Sequence, residues 1–183
     1  QVEGWSQRYR NARTPDAPDF ENIMAWLMQK MPPDSPKPGI IHNDYKFDNV
    51  VLDADNPLKI VGVLDWEMAT IGDPLMDLGS SLAYWVEATD PPDAQLIRML
   101  PTTIPGALTR AEIVARYAER SGIPIPNFDF YHCFGLFRLA VIAQQIYYRF
   151  YHGQTRDERF KMLIVAVQVL EKSACALITR SKL

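Results

Sequence analysis

Basic runs are missing from this chain, and that removes one class of partner at once. Among 183 residues, 19 are Lys or Arg and 22 are Asp or Glu, for a net charge of −3. The sequence pI is about 5.6. No stretch of clustered positive charge offers a nucleic-acid footprint. Cysteine is equally sparse. Cys133 and Cys175 both fall in apolar helical patterns, which predicts buried free thiols rather than a disulfide and suits a reducing compartment. The longest apolar segments are broken by charge or Gln, so no membrane span is expected. The chain opens at Gln1 with no charged-then-apolar leader, which argues against a secretory precursor. Repeats and low-complexity segments are absent. What remains is 48% apolar composition, enough for one substantial core.

The chemistry concentrates between residues 40 and 79. Apolar runs at Ile40–Ile41, Val50–Leu52 and Ile60–Leu64 predict buried strands, with His42, Asp44, Lys46, Asn49 and Asp65 at their ends or on tight loops. Asp55-Asn56-Pro57 is a turn signal between two β-branched runs, so residues 49–53 and 60–65 are expected to form a hairpin that brings Asp65 near Asn49. A carboxylate and an amide oxygen at adjoining strand ends suit Mg²⁺, a hard cation that takes few protein ligands and leaves room for phosphate oxygens. Asp44 would accept a proton from an attacking hydroxyl. Lys46 would present positive charge to a transferring phosphoryl group.

His42-Asn-Asp44-Tyr-Lys46-Phe-Asp-Asn49 resembles the catalytic loop of the protein-kinase-like fold, H-x-D-x-x-x-x-N. Asp65-Trp66-Glu67 stands where protein kinases carry Asp-Phe-Gly. Gly72-Asp73-Pro74-Leu75-Met76-Asp77-Leu78 resembles the aminoglycoside phosphotransferase and choline kinase branch. Leu64-Asp-Trp-Glu-Met-Ala-Thr-Ile-Gly-Asp-Pro is most similar to the phosphotransferases fused to, or encoded beside, acyl-CoA dehydrogenases. The resemblance implies an α+β, mainly helical chain: one C-terminal lobe over 1–183, with a small β-hairpin at the catalytic site. It implies an ATP-dependent phosphotransferase using Mg²⁺ and acting on a small-molecule hydroxyl. Asp44 would be the base, Asn49 and Asp65 the metal and nucleotide ligands, and Lys46 the charge neutraliser. His42 would pin the loop by hydrogen bonding, and Asp77 would brace that loop from the next helix. Glu67 departs from the glycine of the protein-kinase Asp-Phe-Gly.

No Gly-rich phosphate loop, no strand Lys paired with a helix Glu and no five-strand pattern precede this segment, so an N-terminal nucleotide-covering lobe is expected to be absent from the chain. Alone, the chain would then be inactive. A catalytically silent kinase-like binding module and an aminoglycoside-type antibiotic kinase are the alternatives. For the acceptor, Glu87, Asp90, Asp93 and Asp129 could form an acidic wall for a polycation. Arg138, Arg149 and Tyr147-Tyr148 could instead meet an anionic acyl or CoA-like group, such as a hydroxyacyl or hydroxy-acid acceptor, or be ordinary helix residues. A cytoplasmic location is expected, or a peroxisomal one if Ser181-Lys182-Leu183 is a native C-terminus.

The remaining pattern is helical. Val2, Trp5, Tyr9 and Ala12 fall at helical spacing, and Phe20, Ile23, Met24, Leu27, Met28 and Met31 make a one-sided apolar stripe read as core, with Asp19 as cap. Asp73-Pro74 is a cap and first-turn pair. Thr109 with Glu112 predicts a capping box for a helix ending near Gly122. Asn127 is expected to cap a long helix to Tyr151. Thr155 with Glu158 predicts a further box for a last helix carrying Phe160 to Leu177.

Overall fold

The computed structural model describes residues 1–183. The chain is 54% helix and 7% strand. In order it runs α1 (Val2–Ala12), α2 (Glu21–Gln29), β1 (Gly39–Ile41), β2 (Val50–Leu52), β3 (Ile60–Val63), β4 (Thr70–Gly72), α3 (Pro74–Leu82), α4 (Pro92–Leu96), α5 (Arg110–Ser121), α6 (Asp129–Tyr151) and α7 (Leu163–Arg180). Short 3₁₀ turns sit at Phe47–Asn49, Trp66–Met68 and Glu158–Met162.

The core is built around α6. Cys133, Phe134, Phe137, Ala140 and Val141 on it are fully buried. They meet Tyr9 from α1, then Phe20, Ile23 and Leu27 at the start of and along α2, and Val167, Leu170, Ala174 and Leu177 from α7. Each large apolar side chain removed from water here contributes on the order of 1.5–3 kcal/mol. Tyr9, Phe20 and Phe137 form an aromatic triangle with centroid separations of 4.7, 6.3 and 5.7 Å. The α1 face is buried as its spacing predicts, at Val2, Trp5, Tyr9 and Ala12. The α2 stripe is narrower than expected: Met28 is 44% exposed and Met31 47%. The helix ends at Gln29, so Met31 is carried off its face by the proline segment that follows.

The starts of α3 and α5 follow side-chain chemistry. Asp73 accepts from the Leu75 N–H at 2.9 Å and caps α3, with Pro74 in the first turn. Thr109 and Glu112 form the reciprocal box on α5, which closes on Gly122 with φ 69°. The cap of α6 is shifted by one residue. Asn127 Oδ1 accepts from Asp129 N, but Phe128 occupies the cap position. The expected box at Thr155 and Glu158 does not form. Asp157 caps a 3₁₀ turn there, and α7 begins only at Leu163, leaving Phe160 in that turn. The segment Glu158–Arg180 is long and apolar enough to cross a membrane by length and composition, unlike the interrupted pattern expected above. In this fold it lies along α6 and buries Val167, Leu170, Ala174 and Leu177.

The strands form two separate antiparallel pairs. β1 pairs with β4 in the register Gly39↔Gly72, Ile40↔Ile71, Ile41↔Thr70. β2 pairs with β3 through Val50↔Val63 and Val51↔Gly62, with an irregularity before Leu52↔Ile60. The hairpin joins the expected segments, but the strands are not buried. Ile40 is 76% exposed, Ile71 73% and Val61 53%; in β1 only Ile41 is sealed, at 1%. Two-stranded ladders have no second layer over both faces, so alternate side chains remain open to solvent.

Candidate active site

The loop after β1 is held from below by α3. Asn43 adopts a left-handed backbone, φ 65°, which turns two consecutive peptide N–H groups toward one side. The Asp77 carboxylate accepts both, from His42 N at 2.8 Å and Asn43 N at 2.7 Å. Asp77 lies in the first turn of α3, where the helix dipole favours a negative charge.

His42 is buried and ties the loop to the strand that follows. Its Nδ1 accepts the Asp44 N–H at 3.1 Å, so Nε2 carries the proton and donates to Leu64 O at 2.7 Å. Its ring packs against Trp66 at 4.7 Å. Asn43 Nδ2 donates to Met68 O at 3.0 Å. The residues flanking Asp65 on both sides are thereby fastened to the loop that carries Asp44.

Asp44 is 8% exposed, and a carboxylate so far from water requires donors. It has three. Lys46 Nζ lies 2.8 Å from Oδ2, Asn49 Nδ2 2.9 Å from the same oxygen, and Tyr84 OH 3.2 Å from Oδ1. Asn49 Nδ2 also donates to Asp44 O at 2.8 Å. The amide orientation of Asn49 is thus fixed: its nitrogen faces Asp44, and its oxygen is left without a protein donor. Leu64 N donates to Asn49 O at 2.8 Å, which sets Asp65 one residue beyond Asn49's strand partner. Asp65 is exposed, in the left-handed conformation at φ 63° and ψ 55°, and its side chain caps nothing. The structure therefore gathers His42, Asp44, Lys46, Asn49 and Asp77 into one hydrogen-bonded unit and puts Asp65 at its margin. No group of three or more His, Cys, Asp or Glu side chains is arranged to cage a metal by itself.

Residues 1–113 match the family described as the Phosphotransferase enzyme family. The chain belongs to that family. It is 32% identical over 99% of its length to human acyl-CoA dehydrogenase family member 11, of which it covers 23%. It is 35% identical over 84% of its length to mouse acyl-CoA dehydrogenase family member 10, covering 14% of that protein. The chain thus spans under a quarter of the curated relatives it matches. All of it superposes, with a TM-score of 0.83 and 28% identity, on 55% of a Ralstonia eutropha structure described as a candidate aminoglycoside phosphotransferase. The architecture is the C-terminal lobe of a kinase-like fold.

Beside this family loop lies a cavity of about 890 Å³, bounded by Tyr45, Lys46 and Phe47 of the loop, the outer face of α3, the segment 100–108 and α5. Of its 24 lining residues, 17 are hydrophobic. Strand alternation turns Val50, Leu52 and Ile60 of the hairpin into it and leaves Val51 off the lining. Its far wall is stapled: Trp85 Nε1 donates to Leu108 O at 2.9 Å and Thr102 Oγ1 to Val86 O at 2.6 Å. Arg110 clasps the turn after α3, with bidentate bonds to Asp90 at 2.7 and 2.6 Å and a third to Trp85 O at 2.7 Å.

The acidic residues weighed as an acceptor wall are engaged elsewhere. Glu87 and Asp90 serve Arg110, Asp93 pairs with Lys172, and Asp129 accepts from Ser181. Arg138 is 2% exposed beneath the loop, stacked on Trp5 at 4.9 Å, with Met68 Sδ at 3.4 Å. Burial holds its guanidinium below the ordinary arginine range. Neither Arg138 nor Arg149 lines the cavity. Tyr84, Trp66 and Arg110 were not anticipated as parts of the site. A partial signal for Tyr84 was present, because Asp77, Ser81 and Tyr84 fall at helical spacing, although Tyr84 sits in the turn just past the end of α3.

Proposed function

We propose that this chain is the acceptor-side lobe of an ATP-dependent phosphotransferase that phosphorylates a hydroxyl on a small, largely apolar molecule. The observation that carries the reading is the Asp44 carboxylate, buried yet held by Lys46 and Asn49 on the loop of a phosphotransferase-family chain. Asp44 would take the acceptor's O–H proton as the new O–P bond forms. Lys46, already at Oδ2, would balance the charge growing on the transferring group. His42 and Asp77 would keep the loop from relaxing.

The donor set fits a hard divalent cation. Asn49 presents a free amide oxygen because its nitrogen is committed to Asp44, and Asp65 holds an exposed carboxylate with no capping duty. Two such ligands leave room for phosphate oxygens, as Mg²⁺ with a nucleotide requires. Mg²⁺·ATP would supply the phosphoryl group and offset its charge. Groups covering the nucleotide phosphates would come from a lobe outside residues 1–183, since no Gly-rich loop or Lys–Glu pair lies within them.

The apolar cavity bears on the acceptor. A polycation would find no free acidic wall there, whereas a hydroxyacyl or hydroxy-acid chain would bury its methylenes at about 0.8 kcal/mol each. Similarity to dehydrogenase-linked relatives supports the same class. A silent binding module is the competing reading, and the complete Asp44, Asn49 and Asp65 set disfavours it.

The test is Mg²⁺·ATP calorimetry and ADP release, using this chain and the full reading frame that contains it. Hydroxyoctanoate, free and as a thioester, and kanamycin serve as acceptors. Turnover by the full frame with hydroxyoctanoate supports the proposal. ATP binding without any turnover supports the silent module, and turnover with kanamycin alone reverses the acceptor assignment.

A further inference from the structure

Resting on the phosphotransfer reading, the lone pairs of Asp44 add a role for a residue outside the family loop. A carboxylate has about four acceptor positions on two oxygens. Oδ2 is filled by Lys46 Nζ at 2.8 Å and Asn49 Nδ2 at 2.9 Å. Oδ1 receives only Tyr84 OH, at 3.2 Å. The open position for an acceptor hydroxyl is therefore on Oδ1, next to the Tyr84 hydroxyl.

Tyr84 makes a second contact in the same site. Lys46 Nζ stands 5.0 Å from the centroid of its ring, within the reach of a cation–π attraction. One side chain thus touches both groups that would handle the proton and the phosphoryl charge. Burial, followed by the nearby Asp44 charge, pushes the Tyr84 phenol well above its ordinary value. It stays protonated, so it serves as a fixed donor and never competes with Asp44 for the proton.

We propose that Tyr84 is a positioning residue of the phosphotransfer. Its hydroxyl sets the plane of the Asp44 carboxylate so that one lone pair of Oδ1 meets the acceptor hydroxyl, and its ring carries the Lys46 ammonium at the matching height.

The test uses the full reading frame, Mg²⁺·ATP and hydroxyoctanoate. Tyr84→Phe removes the hydroxyl and keeps the ring; Tyr84→Leu removes both. Tyr84→Phe is expected to lower kcat about tenfold to a hundredfold, with the KM for ATP moved by less than about twofold. Tyr84→Leu should be slower still. Because Tyr84 acts through Asp44, the double variant Asp44→Asn, Tyr84→Phe should be no slower than Asp44→Asn alone. Independently of turnover, the ¹³Cζ resonance of Tyr84, assigned by its loss in Tyr84→Phe, should move in Asp44→Asn. Wild-type speed in Tyr84→Phe, additive losses in the double variant, or an unmoved resonance each overturn the proposal. A wild type that binds Mg²⁺·ATP but transfers nothing overturns the phosphotransfer reading itself, and the positioning role with it.

Discussion

Asp77 and His42 are 35 positions apart, and the Asp77 Oδ2 accepts the His42 N–H at 2.8 Å while Oδ1 takes the next peptide N–H, at Asn43, at 2.7 Å. Only a carboxylate offers acceptors on both sides. Asp77→Asn turns an NH₂ toward one of these peptide donors, and leaving it unsatisfied costs about 1–3 kcal/mol. Urea denaturation of Asp77→Asn should show that loss, and the phosphotransfer rate should fall with it. Stability equal to wild type would mean the loop is not held this way.

Asp44 and Asp65 should fail differently. Asp44→Asn removes the proposed proton acceptor but leaves the Asn49 oxygen and the Asp65 carboxylate in place. Turnover should drop by several powers of ten with Mg²⁺·ATP affinity retained. Asp65→Ala should weaken that affinity itself. Calorimetry beside rate measurement separates the two, and identical behaviour of both variants would contradict the division of roles.

The crossing of α3 and α6 permits no side chain at two points. A Cβ on Gly79 would lie 2.2 Å from Tyr131 O, and one on Gly135 2.1 Å from Gly79 O. Both obstacles are backbone atoms, so the helices must separate to admit even alanine. Gly79→Ala or Gly135→Ala should destabilise by at least about 3 kcal/mol, measured as a lowered denaturation midpoint. A loss under about 1 kcal/mol would show that the crossing yields easily.

Acid should weaken the fold through His132. Burial first, then the Arg110 and Arg180 charges, push its imidazole from 6.5 down to about 3, against the pull of Asp90, although the residue as a whole is only partly buried. The unfolded chain therefore binds a proton that the native one refuses. Stability from this source is complete above pH 6.5 and is lost as pH falls toward 3. His132→Gln should flatten the acid limb of a stability–pH curve across that window. An unchanged limb would assign it to other groups.

Local signals were readable in the sequence; among long-range pairings only that of Asp77 with the loop was, and it came through the family resemblance. The Thr109–Glu112 box, the α1 stripe and the hairpin on either side of Asn56 each declare themselves within one short stretch of chain. The gathering of the loop around Asp44 was visible because its side chains lie within eight positions. The Tyr84–Asp44 bond spans 40 positions and the β1–β4 pairing about 30. Three residues of β4, Thr70–Gly72, carry too little alternation to mark a strand. Met28 looked like core because periodicity shows which face is apolar, not how wide a face its neighbours cover. The cavity was invisible, since its walls come from five separate segments.

The two strand pairs bear on handling. Each exposes main-chain donors and acceptors along its outer edges, beside bare side chains at Ile40, Val61 and Ile71. Such edges invite a neighbouring molecule to add a strand. Prepared by itself at high concentration, this polypeptide should scatter light increasingly with time, and Ile71→Lys should suppress that growth while leaving the helical circular-dichroism signal intact.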